Sequence, residues 1–187
     1  IFIAISNSIV DSGFSSALVR KLDAEKKDYD TVFIFNLIVS IFLYVLLFLS
    51  APAISRFYKE PQLILVTRAI GLVLICNAFG IIQSTLLIKT VDFKTQANIS
   101  IIASLGSGII GIAMAIYGFG VWSLVAQQVS RQFLNSLFLW VFNRWRPSFQ
   151  FSKQSFKELF GFGSKLLVSG LIDTTYKNIY YLIIGKF

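Results

Sequence analysis

GFGVWSLVAQQVSRQFLNSLFLWVF, residues 118–142, has the length and apolar character of a bilayer-spanning helix, yet its middle carries Gln127, Gln128, Arg131, Gln132 and Asn135. Gln127, Arg131 and Asn135 stand four apart, so on a helix they form one polar stripe against an apolar background. A fixed positive charge near a bilayer centre costs roughly 2.5–3.5 kcal/mol on insertion scales, so it normally faces a bundle interior or a wet cavity. The stretch is therefore expected to line a polar cavity inside a membrane, with Arg131 serving an anionic substrate. The competing reading is that Arg131 pairs with a carboxylate only to fix helix packing.

The rest of the chain fits a membrane setting. Of 187 residues, 56% are hydrophobic and only 14% charged, against about a quarter in an ordinary soluble domain. The apolar runs are long and continuous, which excludes the short alternating segments of a porin-type barrel. The expected fold is all-α, a polytopic membrane helix bundle. A net charge of +8 invites a nucleic-acid reading. The basic residues cluster in loops between apolar runs instead, as membrane topology requires, so no nucleic acid is expected. One cysteine, Cys76, lies within an apolar run, and histidine is absent. No disulfide, metal site or cofactor is expected. The chain starts without Met inside an apolar stretch and stops at residues 185–187, and it reads as a fragment of a longer membrane protein.

Upstream of the opening stretch, residues 96–117 place Ala103, Ser107, Gly111 and Ala115 at intervals of four, a flat ridge for close helix approach. The short turn 118–120 makes these two segments antiparallel neighbours. Gly106, Gly108 and Gly111 spell G-x-G-x-x-G, but no strand precedes them and the next acidic residue after Asp92 is Glu158. A dinucleotide site is rejected. Residues 31–55 run uncharged for long enough to cross the hydrocarbon core and carry Asn36, Ser40 and Tyr44 four apart. Pro52 and the run 56–61 are expected to end that helix. Residues 63–88 form a further span, with Arg68 near its start and Asn77, Gly80 and Ser84 on its polar or small face. Residues 1–19, interrupted by Asn7, Asp11 and Gly13, read as the second half of a span.

Downstream, Pro147 prevents simple continuation of the helix. Ser155 and Glu158 fit a capping box, and Phe156, Leu159 and Phe160 share one face. This predicts a short amphipathic helix on a membrane surface, ending at Gly161. Residues 164–185 form a last span in which Ser169, Asp173 and Lys177 stand four apart. Asp173 and Lys177 either neutralise each other within that helix, or one of them faces substrate or a coupling ion.

Orientation follows from Lys and Arg in the loops. Loops 20–30, 89–95 and 143–163, with Lys165 beside the last, hold eleven; Arg56, Lys59, Arg68 and Lys186 mark the other side. The first set is expected to be cytoplasmic. Polar lines in four spans (Asn7/Asp11, Asn36/Ser40/Tyr44, Gln127/Arg131/Asn135 and Ser169/Asp173/Lys177) point to a shared wet interior. No residue pattern for catalysis is present, so the chain is not read as an enzyme.

FIAISNSIVDSGFSSALVRK, DYDTVFIFNLIVS, LLIKTVDFKTQA, GFGVWSLVAQQ and SFKELFGFGSKLLVSGLID resemble the Wzx-type polysaccharide flippases of the multidrug/oligosaccharidyl-lipid/polysaccharide exporter superfamily. The chain is most similar to lipopolysaccharide or colanic-acid exporters. That resemblance implies two lobes of six or more helices around a central cavity in a bacterial inner membrane. It implies movement of an undecaprenyl-diphosphate-linked oligosaccharide from the cytoplasmic to the outer leaflet. A proton or sodium counter-ion, membrane lipids and other polysaccharide-assembly proteins follow as partners. Residues 1–142 would be part of the first lobe, 143–163 the cytoplasmic linker and 164–187 the first span of the second lobe. Arg131, Lys177 and Arg68, with Gln127 and Asn135, become substrate-binding candidates, and Asp11 and Asp173 ion-coupling candidates. The alternatives are a drug/cation antiporter of the same superfamily, or a polysaccharide-assembly membrane enzyme.

Overall fold

Charge-free runs of this length satisfy their backbone internally only as helices, and the chain is all-α. The structure, a computed structural model, describes residues 2–11, 13–148 and 150–184. Seven helices follow in order: α1 (Phe2–Asp11), α2 (Phe14–Arg20), α3 (Lys26–Tyr58), α4 (Leu63–Lys89), α5 (Phe93–Ile116), α6 (Val121–Phe142) and α7 (Lys153–Ile184). There is no strand among the described residues. By length and composition α3, α4 and α5 can cross a membrane. The polar middle of α6 lowers its hydropathy without shortening it.

α3 lies along α4, α5 along α6, and α6 also packs on α4. The small-residue ridge holds over three of its four positions: Ala103 and Ser107 are buried and a Cβ on Gly111 would sit 3.0 Å from Gln127 of α6, while Ala115 is exposed. On its other face α5 exposes Leu105, Ile109, Ile112 and Ile116, a surface suited to lipid. The main core joins α1, α2, α3, α4 and α7 around Phe14, Leu18, Phe33, Leu74, Ile82 and Leu159.

Gly13 separates α1 from α2 for two reasons. Its φ is +66°, and a Cβ there would approach Leu166 Cβ to 2.6 Å and Gly163 O to 2.7 Å. The break is thus also where α7 comes closest.

Three expectations about helix ends need correction. Pro52 does not end α3, which continues to Tyr58; a membrane helix tolerates the one bond proline removes. The stop is a left-handed Lys59, with Glu60 N donating to Ser55 O. Gly161 does not end the amphipathic segment either, because α7 runs unbroken from Lys153 to Ile184. Residues 185–187, the end of the expected last span, lie outside the described residues. Nor is Ser155 the cap: Ser152 Oγ accepts from Ser155 N at 3.2 Å, three residues earlier. The apolar face of this segment is also spent on protein rather than on lipid. Phe156 packs at a tilt against Phe14 and Phe35 and Leu159 is buried, while Phe160 stays partly exposed.

The connector between α6 and α7 is tied down on both sides. Asn143 Nδ2 donates to Gln83 O, and Gln83 Nε2 donates to Trp145 O. Ser148 bonds the buried Asp30, and Ser152 N donates to Thr31 Oγ1 at 3.0 Å.

Candidate functional site

α6 carries two polar seams. Toward α4 run Gln132, Ser136, Trp140 and Asn143, which donate respectively to Asn77 Oδ1, Cys76 O, Phe79 O and Gln83 O at 2.8–3.0 Å. The spacing of four, four and three keeps them on one helix face. This seam holds α6 at a fixed rotation. The rotation presents Gln128, Arg131, Gln132 and Asn135 to open volume between the helices.

That volume is a set of adjoining cavities that share walls. The largest, about 570 Å³, is bordered by Asn7 and Asp11 of α1, Asn77 and Ser84 of α4, Gln132 and Asn135 of α6, and Thr174 of α7. A second, about 210 Å³, is bordered by Ser100 and Ala103 of α5 and by Gln128, Arg131, Gln132 and Asn135. A third, about 400 Å³, lies between Ser84, Gln96, Ser100 and Asn135. Asn135 borders all three. An amide chain crosses the hollow's edge: Asn77 Nδ2 donates to Asn7 Oδ1 and Gln132 Nε2 to Asn77 Oδ1, each at 3.0 Å.

Of the residues singled out from sequence, Arg131, Asn135 and Asp11 are brought together at this hollow. Arg131 is exposed to it and forms no salt bridge among the described residues. Asp11 accepts from Ser15 Oγ at 2.6 Å.

The other four are placed elsewhere. Gln127 lies one position round the helix from Gln128, and its stem faces α5, 3.0 Å from where a Gly111 Cβ would be. The face toward the cavity follows 128, 131, 132 and 135, not 127, 131 and 135. Arg68 stacks on Phe48, its Cζ 4.0 Å from the ring centroid, and does not border the hollow. Asp173 and Lys177 hold each other at 2.6 Å, both exposed, the self-neutralising arrangement within one helix. Asn36 and Ser40 are buried and border none of the three cavities; Ser40 Oγ donates to Leu37 O of its own helix, the Asn36 amide has no hydrogen-bond partner among the described residues, and Tyr44 packs on Gly71 of α4. Two of the four polar lines, not all four, reach the wet interior. Gln128, Gln132, Asn77 and Ser100 complete the site. The i, i+3, i+4, i+7 spacing from Gln128 to Asn135 was the available sequence signal for the α6 members.

Among the described residues no group of His, Cys, Asp and Glu is placed to hold a metal ion.

The family described as "Polysaccharide biosynthesis protein" matches residues 1–187. The chain belongs to that family. Two relatives place this polysaccharide biosynthesis family member further. It is 29% identical over 182 residues to the teichuronic acid biosynthesis protein TuaB of Bacillus subtilis, covering 96% of this chain and 38% of the relative. It is 29% identical over 154 residues to the succinoglycan biosynthesis transport protein ExoT of Rhizobium meliloti, covering 81% of this chain and 31% of the relative. The chain thus spans well under half the length of either relative. No solved structure matches it significantly. The family, the helical fold and the apolar spans agree: this is a membrane protein of the polysaccharide biosynthesis family.

Proposed function

We propose that the full-length protein moves an undecaprenyl-diphosphate-linked oligosaccharide, the repeat unit of a surface polysaccharide, from the cytoplasmic to the outer leaflet of a bacterial inner membrane. The observation that carries this is a guanidinium, Arg131, that forms no salt bridge among the described residues and faces a polar hollow within a bundle whose outer faces are apolar. Arginine matches the fork of phosphate oxygens bidentately and stays charged at any working pH. In a hollow walled by protein the effective dielectric is lower than in bulk water, which strengthens its attraction for a diphosphate. Asn135 and Gln128 beside it supply neutral donors. The two charges of the hollow are opposite in sign, and Asp11 serves as the coupling carboxylate for a proton or sodium ion. The relatives named for teichuronic acid and succinoglycan biosynthesis support a polysaccharide cargo.

In this reading residues 1–142 belong to the first lobe and 164–187 open the second. Loops 20–30, 89–95 and 143–163 face the cytoplasm, and the lobes rock about the hollow in alternating access. Asp11 in the hollow is also what a drug/cation antiporter would need, and that is the second reading.

Arg131→Ala in the full-length protein is expected to abolish surface polysaccharide while leaving membrane insertion intact, with lipid-linked precursor accumulating inside. Normal polysaccharide in that variant would remove Arg131 from the mechanism. Restored drug efflux sensitivity to Asp11→Asn alone would favour the antiporter.

A further inference from the structure

The compartments of the hollow differ in chemistry. Among the described residues the smaller one has Arg131 as its basic side chain and no carboxylate in its wall. The larger has the opposite make-up: among the described residues Asp11 is its acidic side chain, no Lys or Arg borders it, and most of the remainder are amides and hydroxyls. Gln132 and Asn135 border both.

Within the larger compartment the amide chain is directional. Asn77 Nδ2 donates to Asn7 Oδ1, and Gln132 Nε2 donates to Asn77 Oδ1. This leaves Asn7 Nδ2 as a donor and Gln132 Oε1 as an acceptor, neither with a partner among the described residues. Each amide is held in one orientation by its neighbour, so these free groups are pre-set. Sugar hydroxyls donate and accept at once, and they suit fixed amides and a carboxylate better than they suit a cation. At about 570 Å³ the space falls within the size range of small-molecule sites.

We propose that the larger compartment is a carbohydrate subsite, in which Asn7, Asn77 and Gln132 hold an uncharged sugar of the ligand while its diphosphate lies at Arg131. This rests on the reading of the hollow as a site for a lipid-linked oligosaccharide, and assigns its two ends to two sets of residues. Asn77 acts here as a positioning residue: it fixes the amides on either side of it.

The test is binding to purified full-length protein in detergent. Two probes are compared, undecaprenyl diphosphate alone and the saccharide-bearing undecaprenyl diphosphate extracted from the host cell. Asn77→Leu and Asn7→Ala are expected to weaken the saccharide-bearing lipid about tenfold and to leave the bare diphosphate lipid unchanged. Arg131→Ala is expected to weaken both. Equal weakening of the two lipids by the asparagine variants, or no weakening of either, would overturn the subsite. Selective weakening by the asparagine variants with Arg131→Ala silent would keep the subsite and remove the diphosphate role. If Asn77→Leu no longer binds the bare lipid, its fold is lost and Asn7→Ala alone decides.

Discussion

Ser148 gives both of its donors to Asp30: its backbone N–H reaches Oδ1 at 3.2 Å, and its hydroxyl bonds Oδ2. Asp30 lies in the first turns of α3, and its side chain is buried. The residue after Pro147 is thereby fixed to a helix more than a hundred positions earlier. Removing the carboxylate leaves both donors without their partner. Asp30→Ala is expected to lower stability by about 3 kcal/mol, since each bond to a charged group contributes roughly 1.5–3 kcal/mol. Thermal unfolding in detergent reads this out, and trypsin should cut after Arg144 sooner. Asp23→Ala, at an exposed carboxylate in the preceding loop, serves as the unaffected control.

A second tie is pH-dependent. Lys21 Nζ lies 3.0 Å from Asp28 Oδ2 and 3.0 Å from Glu158 Oε2. The Lys21 hydrogen bond, with that of Gln154, holds the Glu158 carboxyl below its ordinary 4.5. Burial opposes the Lys21 charge, but the bonds to Asp28 and Glu158 outweigh it and leave the ammonium above its ordinary 10.5. A depressed carboxylate contributes stability above its unfolded value and loses it as pH falls through the folded one; a raised ammonium does the reverse at high pH. The melting temperature should therefore stay level between about pH 5 and 10 and fall on either side. Glu158→Gln should flatten the part of the acid limb that belongs to this pair. An unchanged acid limb in that variant would contradict the assignment.

The turn between α4 and α5 carries avoidable strain. Val91 sits at φ 58°, exposed, with Asp92 N donating to Leu87 O across it. A β-branched residue is poorly suited to the left-handed region, where glycine is at ease. Val91→Gly is expected to stabilise the protein by about 1 kcal/mol, measured as a rise in melting temperature. A fall would mean that the exposed side chain has a contact the turn geometry does not reveal.

Much of the architecture was legible because the spans are long charge-free runs and because Ala103, Ser107 and Gly111 repeat at helix spacing. What misled at the ends was reading Pro52 and Gly161 as punctuation. Neither stops a helix held by tertiary contacts, whereas the run 56–61 does end α3 as expected, at a left-handed lysine. Within the site, Arg131, Asn135 and Asp11 were identifiable from charge and burial cost. The phase of α6 was not, since a four-residue spacing fits Gln127 as well as it fits Asn135. The bonds from Ser136, Trp140 and Asn143 to α4 carbonyls decide that phase, and they depend on a partner helix some sixty residues away. The same limit applies to Tyr44 and Lys177: a polar residue in an apolar run signals a partner, but not whether that partner is a cavity, a neighbouring helix or the next turn.

The most direct test is water access to residue 131 in intact membranes. In full-length protein with Cys76→Ser, single variants Arg131→Cys and Ile109→Cys would be treated with a small charged, membrane-impermeant thiol reagent from each side. Residue 131 faces the polar hollow, and Ile109 is exposed on the apolar face of α5. The account predicts that Arg131→Cys reacts from at least one side, that added undecaprenyl diphosphate slows the reaction, and that Ile109→Cys stays unreactive. Failure of Arg131→Cys to react from either side, while the variant is inserted and folded, would contradict it.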